Sequence, residues 1–216
     1  MCLFWLLFRS SGDFLVFAKN TVLGKVKSRL GETLGGEKAL WVYQQLLAKT
    51  EAVLQQTFSK VVVFYAGQSA HDFKGCFKDF PKKPQMGTDL GKRMSNAFEW
   101  GFAQGFPKVM GIGTDLWDLD PGTIEGALSA LDATKVVLGP AKDGGYYLIG
   151  MREFYPQLFE NKTWSGPEVL KDTLADLQSE RVALLEEKSD IDSYKDLVLH
   201  LDLLTRLNQH FDEGKN

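Results

Sequence analysis

Two hydrophobic rhythms alternate along the chain. FLVFA (14–18), KVVVFYAG (60–67), KVMGIGTD (108–115), KVVLGP (135–140), YYLIGM (146–151) and RVALLE (181–186) are short, nearly continuous apolar runs. Runs of this length, rich in β-branched and aromatic residues, predict buried strands. Between them the spacing turns helical. Over 36–57, Leu40, Val42, Tyr43, Leu46, Leu47, Val53 and Leu54 fall on one helical face. Helices are predicted likewise over 89–104, 121–133, 167–178 and 193–211. The helix over 121–133 has Asp120 as N-cap and Pro121 in its first turn. The Pro-rich stretch FPKKPQMG (80–87) reads as a surface loop. Strands alternating with helices predict an α/β fold on a mainly parallel sheet.

Composition changes this picture little. The 216 residues are 44% hydrophobic and 25% charged, with a net charge of −3, so the surface as a whole does not seek nucleic acid. Residues 14–213 are expected to form a single domain, preceded by an N-terminal extension over 1–13. The opening run MCLFWLLF is too short to span a bilayer and lacks the flanks of a signal peptide. Cys2 and Cys76 are the only cysteines and make no disulfide framework, which fits a reducing cytoplasm. His71, His200 and His210 show no metal-ligand spacing.

Charge becomes informative where the strands end. In parallel α/β sheets, ligands bind beyond the carboxyl ends of the strands. Four predicted strand exits carry charge of the kinds that bind phosphate and metal. FAKNTVLGKVKSRLG (17–31) places Lys19, Lys25, Lys27 and Arg29 around Gly24, directly before a helix. Cations at a helix start are unfavourable unless an anion compensates, so a phosphate is the expected partner. The stretch is not a P-loop: Lys19 stands where its first Gly belongs, and Val26 where Ser or Thr would hold magnesium. Asp115 in GTD (113–115) is read as a metal carboxylate, with Asp118 and Asp120 better placed to cap the next helix. Asp143-Gly144-Gly145 is either a tight turn or a close backbone approach to a ligand. Asp192 or Ser193 caps the last helix, or a second aspartate there completes a metal site. Asp89 and Arg93, four residues apart, read first as a helix-surface ion pair, with Gly87 and Gly91 leaving room for a flat ligand.

FAKNTVLGKVKSRLG, GTDLGKRM, GTDLWDLDP, VVLGPAKDGGYYLIGM, TWSGPEVL and DIDSYKDL, in this order, resemble the DUF2064 family of the nucleotide-diphospho-sugar transferase superfamily. The resemblance covers roughly 14–200 and implies the three-layer αβα GT-A fold. It implies a nucleotide in the crevice, with Lys19, Lys27 and Arg29 facing its phosphates and Mg²⁺ (or Mn²⁺) on Asp115 and Asp192. Asp89 and Arg93 would lie near the base or sugar. Asp143, Gly144, Gly145, Trp164 and Ser165 would shape the acceptor or sugar side. The family's first loop usually reads K-x-P-x-P-G; Thr21 and Leu23 replace both prolines here, so a looser loop is expected. Trp117 likewise replaces a proline two positions after Asp115.

The expected activity is a Mg²⁺-dependent transferase that takes a nucleoside triphosphate or NDP-sugar and a small acceptor. Nucleotidyl transfer is favoured over glycosyl transfer because a triphosphate needs more cationic support; the glycosyl version would use Asp143 as base. A non-catalytic nucleotide-binding or regulatory module is the alternative. Trp100 and Phe102 serve either a homodimer or packing of their helix on the sheet.

Overall fold

The computed structural model describes residues 12–57, 60–164, 166–177 and 180–212. Seven strands, β1 (Asp13–Lys19), β2 (Val61–Ala66), β3 (Lys82–Pro84), β4 (Val109–Ile112), β5 (Val136–Pro140), β6 (Tyr146–Met151) and β7 (Val182–Leu184), form one sheet. Its spatial order is β3-β2-β1-β4-β6-β5-β7. β6 runs antiparallel to both of its neighbours, and every other pairing is parallel. The helices are α1 (Ser28–Leu34), α2 (Gly36–Leu54), α3 (Leu90–Ala103), α4 (Pro121–Ala133), α5 (Val169–Asp176), α6 (Tyr194–Leu197) and α7 (Leu201–Asp212).

Period-two alternation in the strands divides the core. Phe14, Val16 and Ala18 of β1 face one side, where they join Tyr43 and Leu47 of α2 and Ile124, Ala127 and Leu131 of α4. Leu15 faces the other side with Val62, Phe64, Met94, Phe98 and Ile149. The result is the predicted three-layer αβα arrangement. A third cluster, including Leu30, Val42, Leu46, Leu203 and Leu207, fixes α1 and α7 to the outer face of α2.

Three expectations need correction. The stretch 80–87 is not only a loop: Lys82–Pro84 pairs with Val63–Tyr65 as a sheet edge. Prolines hid it, yet an edge strand tolerates them because its outer side needs no ladder bond. The helix expected over 193–211 is two helices, α6 and α7. The strand expected over 108–115 ends at Ile112, so Asp115 stands in the loop beyond it. Trp100 and Phe102 are engaged within the chain. Trp100 meets Phe64 edge-on with ring centroids 5.6 Å apart, and Phe102 lies 6.3 Å from Phe154.

The carboxyl ends of all the parallel strands open on one edge of the sheet. Because β6 is antiparallel, its beginning opens there too. Phe98 of α3 supports this edge from below: it is fully buried and lies against Gly111 of β4, where an added Cβ would stand 2.8 Å from its ring. Phe98→Ala is expected to lower stability by about 3–5 kcal/mol. Urea denaturation should show the midpoint falling with an unchanged slope; a loss below about 1 kcal/mol would contradict the packing described.

Candidate active site

The crevice at the carboxyl edge encloses about 520 Å³ and is walled by Lys19, Arg29, Arg93, Asp115, Asp190 and Asp192 among others. Its charged side is built from three strand exits. After β1, the Lys19 backbone is held by Tyr43 of α2: the Lys19 N–H donates to the phenol oxygen at 2.8 Å, and the phenol donates to the Lys19 carbonyl at 3.0 Å. Burial pushes the Tyr43 phenol up to about 12, so it remains a donor throughout the neutral range. The next residues lack the two prolines but are pinned differently. Asn20 donates to the Ser69 carbonyl at 2.7 Å, and Thr21 donates from both its N–H and its hydroxyl to the Asp72 carbonyl at 2.8 and 2.9 Å. The loop entry is therefore anchored, against the expectation of looseness, while Leu23 at its tip is 56% exposed.

Lys27 then takes left-handed backbone angles, φ 48 and ψ 46, as the N-cap of α1. Its side chain is 3% exposed. The ammonium lies 2.5 Å from Asp115 Oδ1 and 3.1 Å from Asp192 Oδ1. Burial alone would lower its pKa, but the charges of Asp115 and then Asp192 outweigh that, and the net direction is upward. For Asp192 the balance is the same in mirror image. Burial raises its pKa, while Lys27, and behind it Arg29 and Lys19, bring it below the ordinary carboxylate value.

The two carboxylates are held from behind. The Ile191 N–H donates to the Asp115 carbonyl at 3.0 Å, which ties the two loops together. Asp196 accepts from the N–H groups of Asp192 and Ser193 at 3.1 and 2.7 Å, so a capping box at α6 fixes the Asp192 backbone. Beyond Asp115, the Trp117 indole donates to both oxygens of Asp202 on α7, at 3.0 and 2.9 Å.

The other expected site residues divide. Lys19, Arg29, Arg93, Asp143, Gly145 and Trp164 line the crevice. Lys25 is exposed, and neither it nor Gly24 lines the crevice. Asp89 does not line it either: its carboxylate caps α3 by accepting the Lys92 N–H at 2.9 Å. No Asp89–Arg93 ion pair forms among the described residues; the Arg93 Nε–H donates instead to the Gly87 carbonyl at 3.2 Å. Gly91 leaves no room for a ligand, because a Cβ there would stand 2.3 Å from the Trp164 indole nitrogen. Gly144, at φ 88, admits the Pro167 carbonyl, which would lie 2.0 Å from an added Cβ. Its freedom thus serves chain packing. Asp143 accepts the Gly145 N–H at 2.9 Å and so closes its own turn. Ser165 lies outside the described residues.

Asp190 stands with Asp192 at the last strand exit read from the sequence, but the sequence assigns it no role of its own. Its Oδ1 is buried with no hydrogen-bond partner, and burial, followed by the charges of Asp115 and Asp143, pushes its carboxyl up to about 7. The available signal was the D-I-D pattern. With Ile191 fully buried, the residues either side of it share the opposite side of an extended run.

The donor set suits a hard divalent cation. Asp115 and Asp192 already converge on one cationic point, and Mg²⁺ is commonly held by one or two carboxylates together with substrate phosphates. Among the described residues no group of three or more His, Cys, Asp or Glu side chains is arranged to hold a metal alone. No helix among them is long and apolar enough to cross a membrane.

The Asp190 shift has a measurable sign. Its folded pKa lies above the ordinary 3.8, so its contribution is most favourable below about pH 4 and is lost as pH rises through about 7. In EDTA, Asp190→Asn should therefore raise the melting temperature at pH 8 and raise it much less at pH 4. Each pKa unit corresponds to about 1.4 kcal/mol, so the pH 8 gain is on the order of several kcal/mol. Equal melting temperatures at both pH values would refute it.

Comparison with known proteins agrees with this architecture. A crystal structure described as a "putative nucleotide-diphospho-sugar transferase" from Desulfovibrio desulfuricans is 31% identical, with a TM-score of 0.82 over 92% of this chain and 87% of that one. Two more distant structures share the fold. Rv0371c of Mycobacterium tuberculosis in complex with manganese is 14% identical, with a TM-score of 0.57 over 88% of this chain and 98% of its own. The 2-C-methyl-D-erythritol 4-phosphate cytidylyltransferase of Thermus thermophilus is 16% identical, with a TM-score of 0.55 over 89% and 98%. No curated protein matches the chain. The model of the family described as "Uncharacterized protein conserved in bacteria (DUF2064)" matches residues 48–166. With more than half its length inside that match, and a fold shared with nucleotide-diphospho-sugar transferases and nucleotidyltransferases, the chain belongs to the DUF2064 family.

Proposed function

We propose that residues 14–213 form a single transferase domain that uses Mg²⁺ or Mn²⁺ and moves a nucleotidyl group from a nucleoside triphosphate to a small phosphorylated acceptor. The observation that carries this reading is the pairing of buried Lys27, behind the crevice wall, with Asp115 and Asp192, which line a crevice also lined by Lys19 and Arg29. Cations and carboxylates concentrated at one strand edge are the two halves of a phosphate–metal site. The manganese complex of Rv0371c and the cytidylyltransferase name of another fold relative agree with it.

In the proposed reaction, an acceptor phosphate oxygen attacks the α-phosphorus. The bond from that phosphorus to the bridging oxygen breaks, and pyrophosphate departs with the electron pair. The attacking oxygen is already ionised, so no base is required. Asp115 and Asp192 would hold the metal, which when bound supplies charge neutralisation at the phosphates. Lys19 and Arg29, with Lys27 once its ammonium reaches the phosphates, supply positive charge to the departing pyrophosphate. The anchored Asn20 and Thr21 keep Lys19 in place, and the α6 capping box does the same for Asp192. Orientation and charge stabilisation thus carry most of the rate.

A glycosyl version is the second reading, favoured by the name of the 31% identical relative. It requires a base to take the acceptor hydroxyl proton, and Asp143, which lines the crevice and uses one oxygen to accept the Gly145 N–H, is the candidate. The two readings separate in one assay. The protein is incubated with each nucleoside triphosphate, Mg²⁺ and a pool of sugar phosphates and other small phosphates. Pyrophosphate release dependent on the acceptor pool is expected. Release of nucleoside diphosphate from NDP-sugars, with no pyrophosphate from any triphosphate, would overturn nucleotidyl transfer.

Within that assay, Asp115→Asn should lower turnover by at least about 100-fold and abolish its Mg²⁺ dependence. Arg29→Ala should lower it by about 10–100-fold with the fold intact by circular dichroism. Unchanged Mg²⁺ dependence in Asp115→Asn would remove the metal assignment.

A further inference from the structure

We infer that Lys27 is a resident counter-cation that must leave Asp115 and Asp192 before a divalent metal can settle between them, so that nucleotide and metal bind with positive coupling. The inference rests on the metal reading above and adds an order to it.

The geometry is restrictive. The Lys27 ammonium lies within ion-pairing distance of one oxygen from each carboxylate, and its side chain is nearly inaccessible. Asp115 and Asp192 are 42% and 55% exposed, so a solvated cation can approach the carboxylates from the crevice but not from the Lys27 side. A divalent ion arriving with Lys27 in place would meet an ammonium at bonding distance from the same two oxygens. That repulsion offsets much of the attraction offered by the pair.

The chain also supplies the means of release. The left-handed backbone of Lys27 is held by α1, whose Gly31 N–H donates to the Lys27 carbonyl at 2.8 Å. The stem therefore starts from a fixed point, while four methylenes let the ammonium swing. Lys19 and Arg29 line the adjacent wall, so an incoming polyphosphate is drawn to the same place. Its oxygens offer the ammonium a replacement for the carboxylates. Lys27 would move onto phosphate and leave Asp115 and Asp192 free to hold the metal, whose charge would favour the phosphate beside it. By reciprocity, each ligand tightens the other by the same factor.

Binding of Mn²⁺ alone, with no nucleotide, tests this. Free Mn²⁺ is read by electron paramagnetic resonance in titrations of the wild type, Lys27→Met, Lys27→Arg and, as a blank, Asp115→Asn. The wild type and Lys27→Arg should bind weakly, and Lys27→Met should bind at least about tenfold more tightly. Melting temperatures give a second readout. Lys27→Met should melt lower than wild type in EDTA and rise on adding Mn²⁺, and if it is unfolded in EDTA, saturating Mn²⁺ should restore it. Equal Mn²⁺ affinity in wild type and Lys27→Met overturns the coupling and leaves the metal site standing. Uptake no greater than the Asp115→Asn blank by both proteins overturns the metal site and the coupling with it. A Lys27→Met chain that stays unfolded at saturating Mn²⁺ also counts against the inference.

Discussion

A lysine ammonium buried between two aspartates is the constraint around which this molecule is arranged. Removing such a charge from water is costly unless oppositely charged groups meet it at close range. Here the partners come from far along the chain: Lys27 follows β1, Asp115 follows β4, and Asp192 lies 165 residues beyond Lys27. Only the sheet order brings them together. β1 and β4 are neighbours, and the turn after β7 returns across their ends, where Ile191 bonds to the Asp115 backbone. Both carboxylate loops are then fastened by helices, Asp192 by α6 and the segment after Asp115 by α7 through Trp117 and Asp202. Ile191, Asp196 and Asp202 near the C-terminal end of the chain therefore hold the two carboxylate loops in place.

The charge balance around that point is deliberately uneven. Lys27 meets two carboxylates directly, and Asp190 lines the same crevice with one buried oxygen left unpartnered. The site has more negative charge than one ammonium can neutralise, while the adjacent wall carries Lys19 and Arg29. A ligand bringing both phosphate and a divalent ion satisfies both sides. Neither component alone does so.

The sequence revealed the layers better than the contacts. Nearly continuous apolar runs located β1, β2, β4, β5 and β6 because those strands are covered on both faces, and β7 was legible from its apolar composition although it is an edge strand with Leu184 exposed. β3 was hidden because an edge strand is short and tolerates prolines. At the site, Lys19, Arg29, Asp115 and Asp192 were legible because strand exits converge in this fold class. Gly91 and Gly144 misled for a definable reason. A glycine in sequence signals that something approaches the backbone, and here the visitors are Trp164 and Pro167 rather than a ligand. The i,i+4 spacing of Asp89 and Arg93 likewise missed that an N-cap position turns the carboxylate toward the helix's own N–H groups. Asp190 was hard to see because its character comes from what surrounds it after folding.

The strand that the sequence concealed has a bearing on how copies of the chain can meet. β3 ends the sheet with Lys82, Lys83 and Pro84. Lys82 bends back to cap the carbonyls of Phe77 and Phe80, Lys83 lies over Trp100, and Pro84 has no N–H to offer. At the opposite end, β7 is only three residues long. Cationic and proline-bearing edges of this kind refuse lateral strand addition. The β3 edge is thus closed to edge-to-edge growth and to the templated aggregation it invites: a second copy adding a strand there would first have to displace Lys82 and Lys83 from their partners.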